Sequence, residues 1–328
     1  MQYRKLGKTN FNISEISLGT WQVGGKWGDP FSHKNADHIL NAAVDAGINF
    51  IDTADVYGDG ESEKAVGRLV RSRSEQIYVA TKCGRRLQPH TNELYKPDTL
   101  RKFVDDSLRN MGLETLDLIQ LHCPPTEVYY RPEIFELFDR LKDEGKIQNL
   151  GVSVEKVEEG LKAIEFPNVT TVQIIFNMFR QRPAELFFTE AHRRNVGIIV
   201  RVPLASGLLT GKFSTDTTFS ADDHRNFNRQ GAGFDKGETF SGVDYETGLS
   251  AVDELRTVFP EDTNLAPDAL RWILTFDAVS CIIPGASKTS HLTSNLQAID
   301  RPAPSPEQMA AVKTIYDERI KNPVHYLW

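Results

Sequence analysis

The sequence predicts an α/β fold: a single (β/α)8 TIM barrel whose bottom is closed by an N-terminal β-hairpin. Three observations carry the prediction. Short apolar runs recur along nearly the whole chain, each followed by a segment of helical periodicity, the alternation of a parallel sheet with crossover helices. The runs number eight. A length of 328 residues is ordinary for one such barrel, and no shift in composition divides the chain, so residues 1–328 read as one domain.

The hairpin comes first. Residues 3–6 and 12–15 are strand-like and are joined by Gly7-Lys8-Thr9-Asn10. Barrel strands follow at 16–18, 48–51, 77–80, 116–121, 148–152, 171–175, 198–202 and 279–283. Helical periodicity marks 37–46, 62–71, 97–111, 132–144, 155–164, 183–194, 266–275 and 289–298, most of them opened by proline or an N-capping residue. From 213 to 241 the chain is rich in Thr, Ser, Asp, Asn and Gly without periodicity, and an aperiodic stretch that long reads as a lid or binding loop.

Composition narrows the function. Lys and Arg total 38 against 45 Asp and Glu, a net charge of −7 that repels polyphosphate and argues against nucleic acid as a partner, so any cationic site is local. No apolar run approaches the roughly 18 residues of a membrane span. The first residues, Met1 to Leu6, lack the apolar core of a signal peptide, which places the chain in the cytoplasm as an expectation. Cys83, Cys123 and Cys281 are odd in number and widely spaced, matching neither a disulfide framework nor a metal motif, and are expected to be reduced and buried.

Chemistry in such a barrel gathers at the C-terminal ends of the strands, and the residues just past each run are polar or titratable. Asp52, Tyr57, Lys82 and His122 stand at the ends of three successive strands, close enough in the fold to meet around one point. They make a proton donor with its tuning circuit. A free phenol has a pKa of about 10, and a neighbouring ammonium stabilises phenolate and lowers it. Lys82 supplies that ammonium, Asp52 is its ion partner, and His122 orients a substrate carbonyl by hydrogen bonding. Taken singly, each has an ordinary structural explanation: a snorkelling lysine, a core tyrosine, an aspartate in a turn, a neutral structural histidine. Four of them at consecutive strand ends point to a site.

The run Asp52-Thr53-Ala54-Asp55-Val56-Tyr57-Gly58-Asp59-Gly60-Glu61-Ser62-Glu63, with Ala80-Thr81-Lys82 and Leu121-His122, resembles the aldo-keto reductases. The likeness continues through Gly19-Thr20-Trp21, Gly151-Val152-Ser153, Gln173 with Asn177, the segment from Pro203 to Lys212, and Ile283-Pro284-Gly285-Ala286-Ser287-Lys288, covering the chain from about residue 3 to 300. The resemblance implies an NADPH-dependent enzyme that reduces aldehyde or ketone carbonyls, with Tyr57 delivering the proton and NADP+ as the oxidised cofactor. It places the catalytic roles on Tyr57, Lys82, Asp52 and His122.

The same resemblance implies the cofactor contacts. Ser153 and Gln173 hold the nicotinamide carboxamide, and Asn177 is a candidate for the further hydrogen bond that many members make from an Asn at the position of Val154. Thr20, Trp21 and Asp52 flank the same mouth. Pro203, Leu204, Ser206, Gly207, Leu209, Gly211 and Lys212 wrap the pyrophosphate, and Gly285, Ser287, Lys288, His291 and Asn295 take the adenosine end, with Ser287 and Lys288 on the 2′-phosphate at a helix N-terminus. Arg201 stands where many members stack a Tyr on the nicotinamide; it either stacks there, pairs with pyrophosphate, or forms a rim salt bridge. The stretch from Gly207 to Phe213 has too few residues between its glycines for a P-loop, and no G-x-G-x-x-G occurs, so neither a P-loop nor a Rossmann site is present.

Trp21 and Trp27 follow the first strand into the open end and are read as substrate wall beside Tyr57 and His122. Two other classes remain: a nicotinamide-nucleotide-sensing regulatory subunit like the potassium-channel β subunits, which share this fold and much of the motif set, and a metal-dependent barrel hydrolase, which lacks an H-x-H or H-E-x-x-H pair.

Overall fold

Two short antiparallel strands, β1 (Tyr3–Lys5) and β2 (Asn12–Ser14), open the chain in the computed structural model, which describes residues 1–25, 29–259 and 264–328. Eight parallel strands then follow: β3 (Leu18–Gly19), β4 (Phe50–Asp52), β5 (Tyr78–Cys83), β6 (Leu116–His122), β7 (Ile147–Ser153), β8 (Val169–Ile175), β9 (Gly197–Arg201) and β10 (Val279–Ile282). Each pairs with the next in sequence order. The ring closes where Ile16 and Gly19 bridge in parallel to Ile282 and Gly285, with Ser17 N donating to Ile282 O at 2.9 Å.

Period-two alternation on these strands builds the interior. Phe50, Ala80, Leu118, Ile199 and Cys281 form one buried apolar layer together with Leu6, Phe11 and Ile13 of the hairpin region. Two residues further along the same strands stand Asp52, Lys82, Gln120, Arg201 and Ile283, so the parity that points the apolar layer inward also points a largely polar layer inward at the mouth. The hairpin therefore plugs the bottom. Its approach is tight: Gly7, at φ +52°, lies so near the start of β9 that an added β-carbon would sit 2.2 Å from Gly197 N.

Helices cover the outside. They are α1 (His33–Asp45), α2 (Glu61–Ser72), α3 (Pro97–Met111), α4 (Pro132–Asp143), α5 (Val157–Ala163), α6 (Phe187–Arg193), α7 (His224–Phe227), α8 (Tyr245–Val258), α9 (Ala266–Leu274), α10 (Thr289–Leu296), α11 (Pro306–Ile315) and α12 (Lys321–Val324). Proline opens α3 and α4, and Ser32 caps α1 by accepting from Asn35 N. Among the described residues no helix is long and apolar enough to cross a membrane.

Several boundaries differ from the sequence reading. Helix α5 starts at Val157 rather than 155, because the Glu159 carboxylate accepts from the backbone N–H groups of Glu155 and Lys156 and holds them outside the helix. The predicted helix at 183–194 divides into a 3-10 turn, Arg182–Ala184, and α6, with Leu186 at φ −127° between them. Helices α8 and α11 lie outside the regular repeat and were not among the expected elements. The 213–241 segment is not without structure: it contains α7 and the 3-10 turn Lys236–Glu238, and short polar side chains tie its backbone. Asn228 Oδ1, for example, accepts from Gly233 N at 2.8 Å and from Phe234 N at 3.0 Å.

Helices α2 and α3 meet at Gly67, where an added β-carbon would lie 2.1 Å from the Met111 carbonyl oxygen. Backbone cannot yield as a side-chain tip does. Gly67→Ala is therefore expected to destabilise the fold by about 1–3 kcal/mol, the range for overpacking, despite alanine's better helix propensity. A thermal melt of the variant checks this; an unchanged or raised Tm contradicts the close contact.

Candidate active site

The polar layer at the mouth is organised around Lys82 and Asp52, which are 1% and 2% exposed and form an ion pair. Lys82 Nζ also donates to Thr53 O at 2.8 Å. The other carboxylate oxygen, Asp52 Oδ1, accepts from Gln120 Nε2 at 3.0 Å and from Gln173 Nε2 at 2.7 Å. Burial works against the ammonium, but the charge of Asp52 and the hydrogen bonds it makes outweigh that and hold Lys82 above its ordinary pKa. It stays protonated.

Tyr57 is half-buried on the turn after β4, with the Lys82 ammonium 5.1 Å from its ring centroid. The turn is held from below: Ser62 Oγ donates to Thr20 Oγ1 at 2.8 Å, and Thr20 Oγ1 donates to Asp52 O at 3.0 Å. The expectation that Lys82 lowers the phenol below its ordinary pKa does not hold here. Burial raises it, and Lys82 is the leading opposing influence but does not cancel the rise. The phenol is thus a protonated donor at neutral pH. His122 faces Tyr57 edge-on, with ring centroids 6.1 Å apart, and its Nδ1 has no partner among the described residues. Burial, reinforced by Arg85, Lys82 and Arg201, holds the imidazole well below its ordinary pKa and keeps it neutral.

Two cavities meet at this point, and Tyr57, Trp21, Gln22 and Glu238 line both. The first, of about 540 Å³, runs across the mouth past Gln173, Arg201, Pro203, Leu204, Ser206, Gly207 and Lys212 to Gly285, His291 and Asn295, and includes Thr20 and Asp52. The second, of about 500 Å³, is walled by Trp21, Phe31, Tyr57, His122 and Phe234. Trp21 stands between them, its ring 6.5 Å from that of Tyr57 and 5.1 Å from that of His224. Trp27 lies outside the described residues.

Six residues expected at the cofactor are not on the cavity wall. Asn177 is fully engaged elsewhere, its Nδ2 donating to Val202 O and Ser241 Oγ and its Oδ1 accepting from Phe179 N, so it does not stand in for a carboxamide contact. Ser153 is buried with its hydroxyl 3.5 Å from Cys123 Sγ. Leu209 is core, and Gly211 closes the turn Ala205–Thr210 in a left-handed conformation. Ser287 and Lys288 stand beside rather than on the wall, with Ser287 Oγ 3.3 Å from His291 Nδ1. Lys288 and Lys212 both depress the His291 pKa, after the larger effect of burial, which marks a cationic cluster at that end. Ser206 lines the cavity, yet its hydroxyl donates to Glu238 O and accepts from Phe240 N, pinning the 213–241 segment.

Sequence reasoning missed Gln120, Arg85, Glu155 and Glu238. Gln120 was findable, since it shares the inward face of β6 with His122. The others were not, because their pairing depends on loops. Arg201 Nη1 lies 3.5 Å from Glu238 Oε1 and its Nη2 donates to Val154 O at 3.1 Å, so in this structure it is neither stacked over open space nor exposed at the rim. Arg85 Nη1 reaches the same Glu238 oxygen at 3.2 Å.

The arrangement offers a held phenol, a neutral imidazole and a cleft with a cationic end. Comparison with known proteins gives the chain's family. The model of the aldo/keto reductase family matches residues 15–317. The chain is 29% identical to aldo-keto reductase YhdN of Bacillus subtilis, covering 99% of this chain and 96% of that protein. Its fold superposes on glycerol dehydrogenase AKR11B4 from Gluconobacter oxydans with a TM-score of 0.79 at 30% identity, covering 100% of this chain and 98% of that one. The holo form of aldo-keto reductase AKR11C1 from Bacillus halodurans gives a TM-score of 0.77 at 25% identity, with 96% of each chain covered. The chain belongs to the aldo/keto reductase family.

Proposed function

We propose that this protein is an NADPH-dependent reductase of aldehyde or ketone carbonyls, with Tyr57 as proton donor. The observation that carries the reading is the buried Lys82–Asp52 pair set against a protonated Tyr57 and a neutral His122 at the junction of two cavities. A bound nicotinamide supplies the hydride. Three features of the first cavity support such a cofactor: it runs across the mouth past Gln173, Arg201 and Ser206, it passes a tight turn with positive φ at Ala205, Ser206 and Gly207, and it ends at Lys212 and His291, whose pKa Lys288 also depresses. We assign Ser287, Lys288 and Asn295 to its adenosine end and Gln173 to the carboxamide.

The chain's own residues then divide the work. Neutral His122 donates a hydrogen bond to the substrate carbonyl and orients it in the second cavity. Tyr57 delivers its hydroxyl proton to the carbonyl oxygen as negative charge develops there, and the Lys82 cation steadies the phenolate left behind. Asp52, anchored by Gln120 and Gln173, keeps that cation aimed. All three cysteines are buried and unpaired, which supports a reducing, cytoplasmic setting.

NADPH oxidation against a panel of small aldehydes, sugars and aromatic ketones tests the reading. Tyr57→Phe is expected to lower kcat by about 10²–10⁴-fold while NADPH affinity stays near wild type. Binding of NADPH without turnover of any carbonyl would favour the regulatory-subunit alternative.

The pH dependence follows from the raised phenol. Reduction needs the protonated form, so its rate is expected to be flat across neutral pH and to fall only on the alkaline side, whereas alcohol oxidation, which needs phenolate, rises with pH. Lys82→Met removes the charge that opposes the rise and should move the alkaline limb further up; an unmoved limb contradicts the tuning role.

Lys288→Ala is expected to weaken NADPH by about 5- to 150-fold, the equivalent of 1–3 kcal/mol for a charge-assisted contact, and to leave NADH nearly unchanged. Equal losses for both cofactors, measured by fluorescence titration, would remove Lys288 from the 2′-phosphate.

A further inference from the structure

The second cavity contains a charged feature that the reduction chemistry does not require. Its wall is built of aromatic rings, Val56 and glycines, with Gln22, Arg85, Glu238 and the exposed rim residue Asp29 as its other polar members, and Arg85 is its one charged cation among the described residues, His122 being neutral. Arg85 and Arg201 converge on a single carboxylate oxygen, Glu238 Oε1, at 3.2 and 3.5 Å. This is a site that already holds a carboxylate, one that belongs to the chain.

Its donor capacity exceeds what that carboxylate uses. Arg85 makes both its ion contacts through Nη1, to Glu238 and, at 4.0 Å, to Glu155 Oε1, so the rest of its fork has no protein acceptor among the described residues. Arg201 is more than nine-tenths buried, lines the first cavity, and its Nε has no partner among the described residues. Cys123, Glu155 and Glu238 lie within 4.8 Å of one another, but Arg201 Nη2 stands 3.6 Å from Cys123 Sγ, so guanidinium already holds the place a metal cation would take. The two arginines also sit on opposite sides: Arg85 lines only the second cavity, Arg201 only the first, and Glu238 both.

Resting on the reductase reading, we infer that the enzyme prefers carbonyl substrates that carry an anionic group, a carboxylate or a phosphate monoester, with Arg85 as the specificity-determining residue and Glu238 as the internal anion that the substrate's group replaces at Arg85. Glu238 remains paired with Arg201 when this happens, so no charge is left without a partner. A planar fork suits both anions, because each presents two oxygens at its spacing. Replacement requires only that the 3-10 turn Lys236–Glu238 shift a side chain, not that the 213–241 segment leave the mouth.

The test compares kcat/KM for 4-carboxybenzaldehyde with that for its methyl ester, and for glyceraldehyde 3-phosphate with that for glyceraldehyde. Wild type is expected to favour the anion in at least one pair by tenfold or more, mainly through KM, and the favoured pair identifies carboxylate or phosphate. Arg85→Gln should reduce that ratio at least tenfold, whereas Arg85→Lys, which keeps the charge and loses the fork, should fall between. A wild-type ratio near one, or a ratio that Arg85→Gln leaves within twofold, overturns the inference. A binding measurement separates it from the reductase reading: malonate, but not malonamide, should raise the Tm of wild type and fail to do so in Arg85→Gln. Arg85-dependent stabilisation by malonate without turnover of any carbonyl would sink the reductase reading alone; reduction of neutral aldehydes with no malonate effect and no anion preference would sink this inference alone.

Discussion

The buried pair of Lys82 and Asp52 is the constraint around which the mouth of the barrel is built. Removing two charges from water costs several kcal/mol per ion, and the attraction between them offsets this only when the remaining donors and acceptors are also satisfied. The barrel meets that condition from four strands: Thr53 follows β4 and offers its carbonyl, Gln120 on β6 and Gln173 on β8 donate to the carboxylate, and Lys82 itself comes from β5. The pair is therefore as much a consequence of closure as a functional device. Loss of either partner would leave the other as an uncompensated charge, at a cost of about 3–5 kcal/mol. The position of Tyr57 depends on the same closure, since the Thr20 and Ser62 hydroxyls that hold its turn meet over the backbone of Asp52.

A second layer of organisation comes from the 213–241 segment. Its sequence has no periodic apolar face, and its shape rests on side-chain to backbone hydrogen bonds and on anchors elsewhere in the chain. Ser206 grips the backbone at Glu238 and Phe240, and the Trp328 indole donates to Asp235 Oδ1 at 2.9 Å with the Arg180 guanidinium 4.4 Å from its ring. These anchors fix where Glu238 stands, and Glu238 divides the two cavities. Membership of a family accounts for the barrel and its polar ring, but selectivity resides in such irregular segments, where local chemistry can change without disturbing the strands.

Much of the fold was legible because its signals are local. Apolar runs of strand length, followed by helical spacing with prolines at 97 and 132, report backbone preference and burial within a few residues. The meeting of Asp52, Lys82 and His122 was legible for a related reason: in a parallel barrel the C-terminal ends of all strands lie on one face, so position along a strand already implies position in space. Sequence by itself determined the barrel, its plugged bottom and the residues that ring its mouth.

Only the tertiary structure decided how those residues are used. Asn177 has the right residue type just past the right strand, yet hydrogen bonds to Val202, Ser241 and Phe179 engage its amide. The direction of the Tyr57 shift could not be read from a lysine 25 positions away, because it is the difference between desolvation and a Coulomb interaction, and both depend on what surrounds the ring. Arg85 and Glu238 stand 153 positions apart and meet only because a loop without periodicity folds back across the mouth. Strand and helix patterns are set by interactions between near neighbours in sequence, whereas the partner of a buried polar atom is chosen by every segment that reaches it, and that choice exists only once the chain has folded.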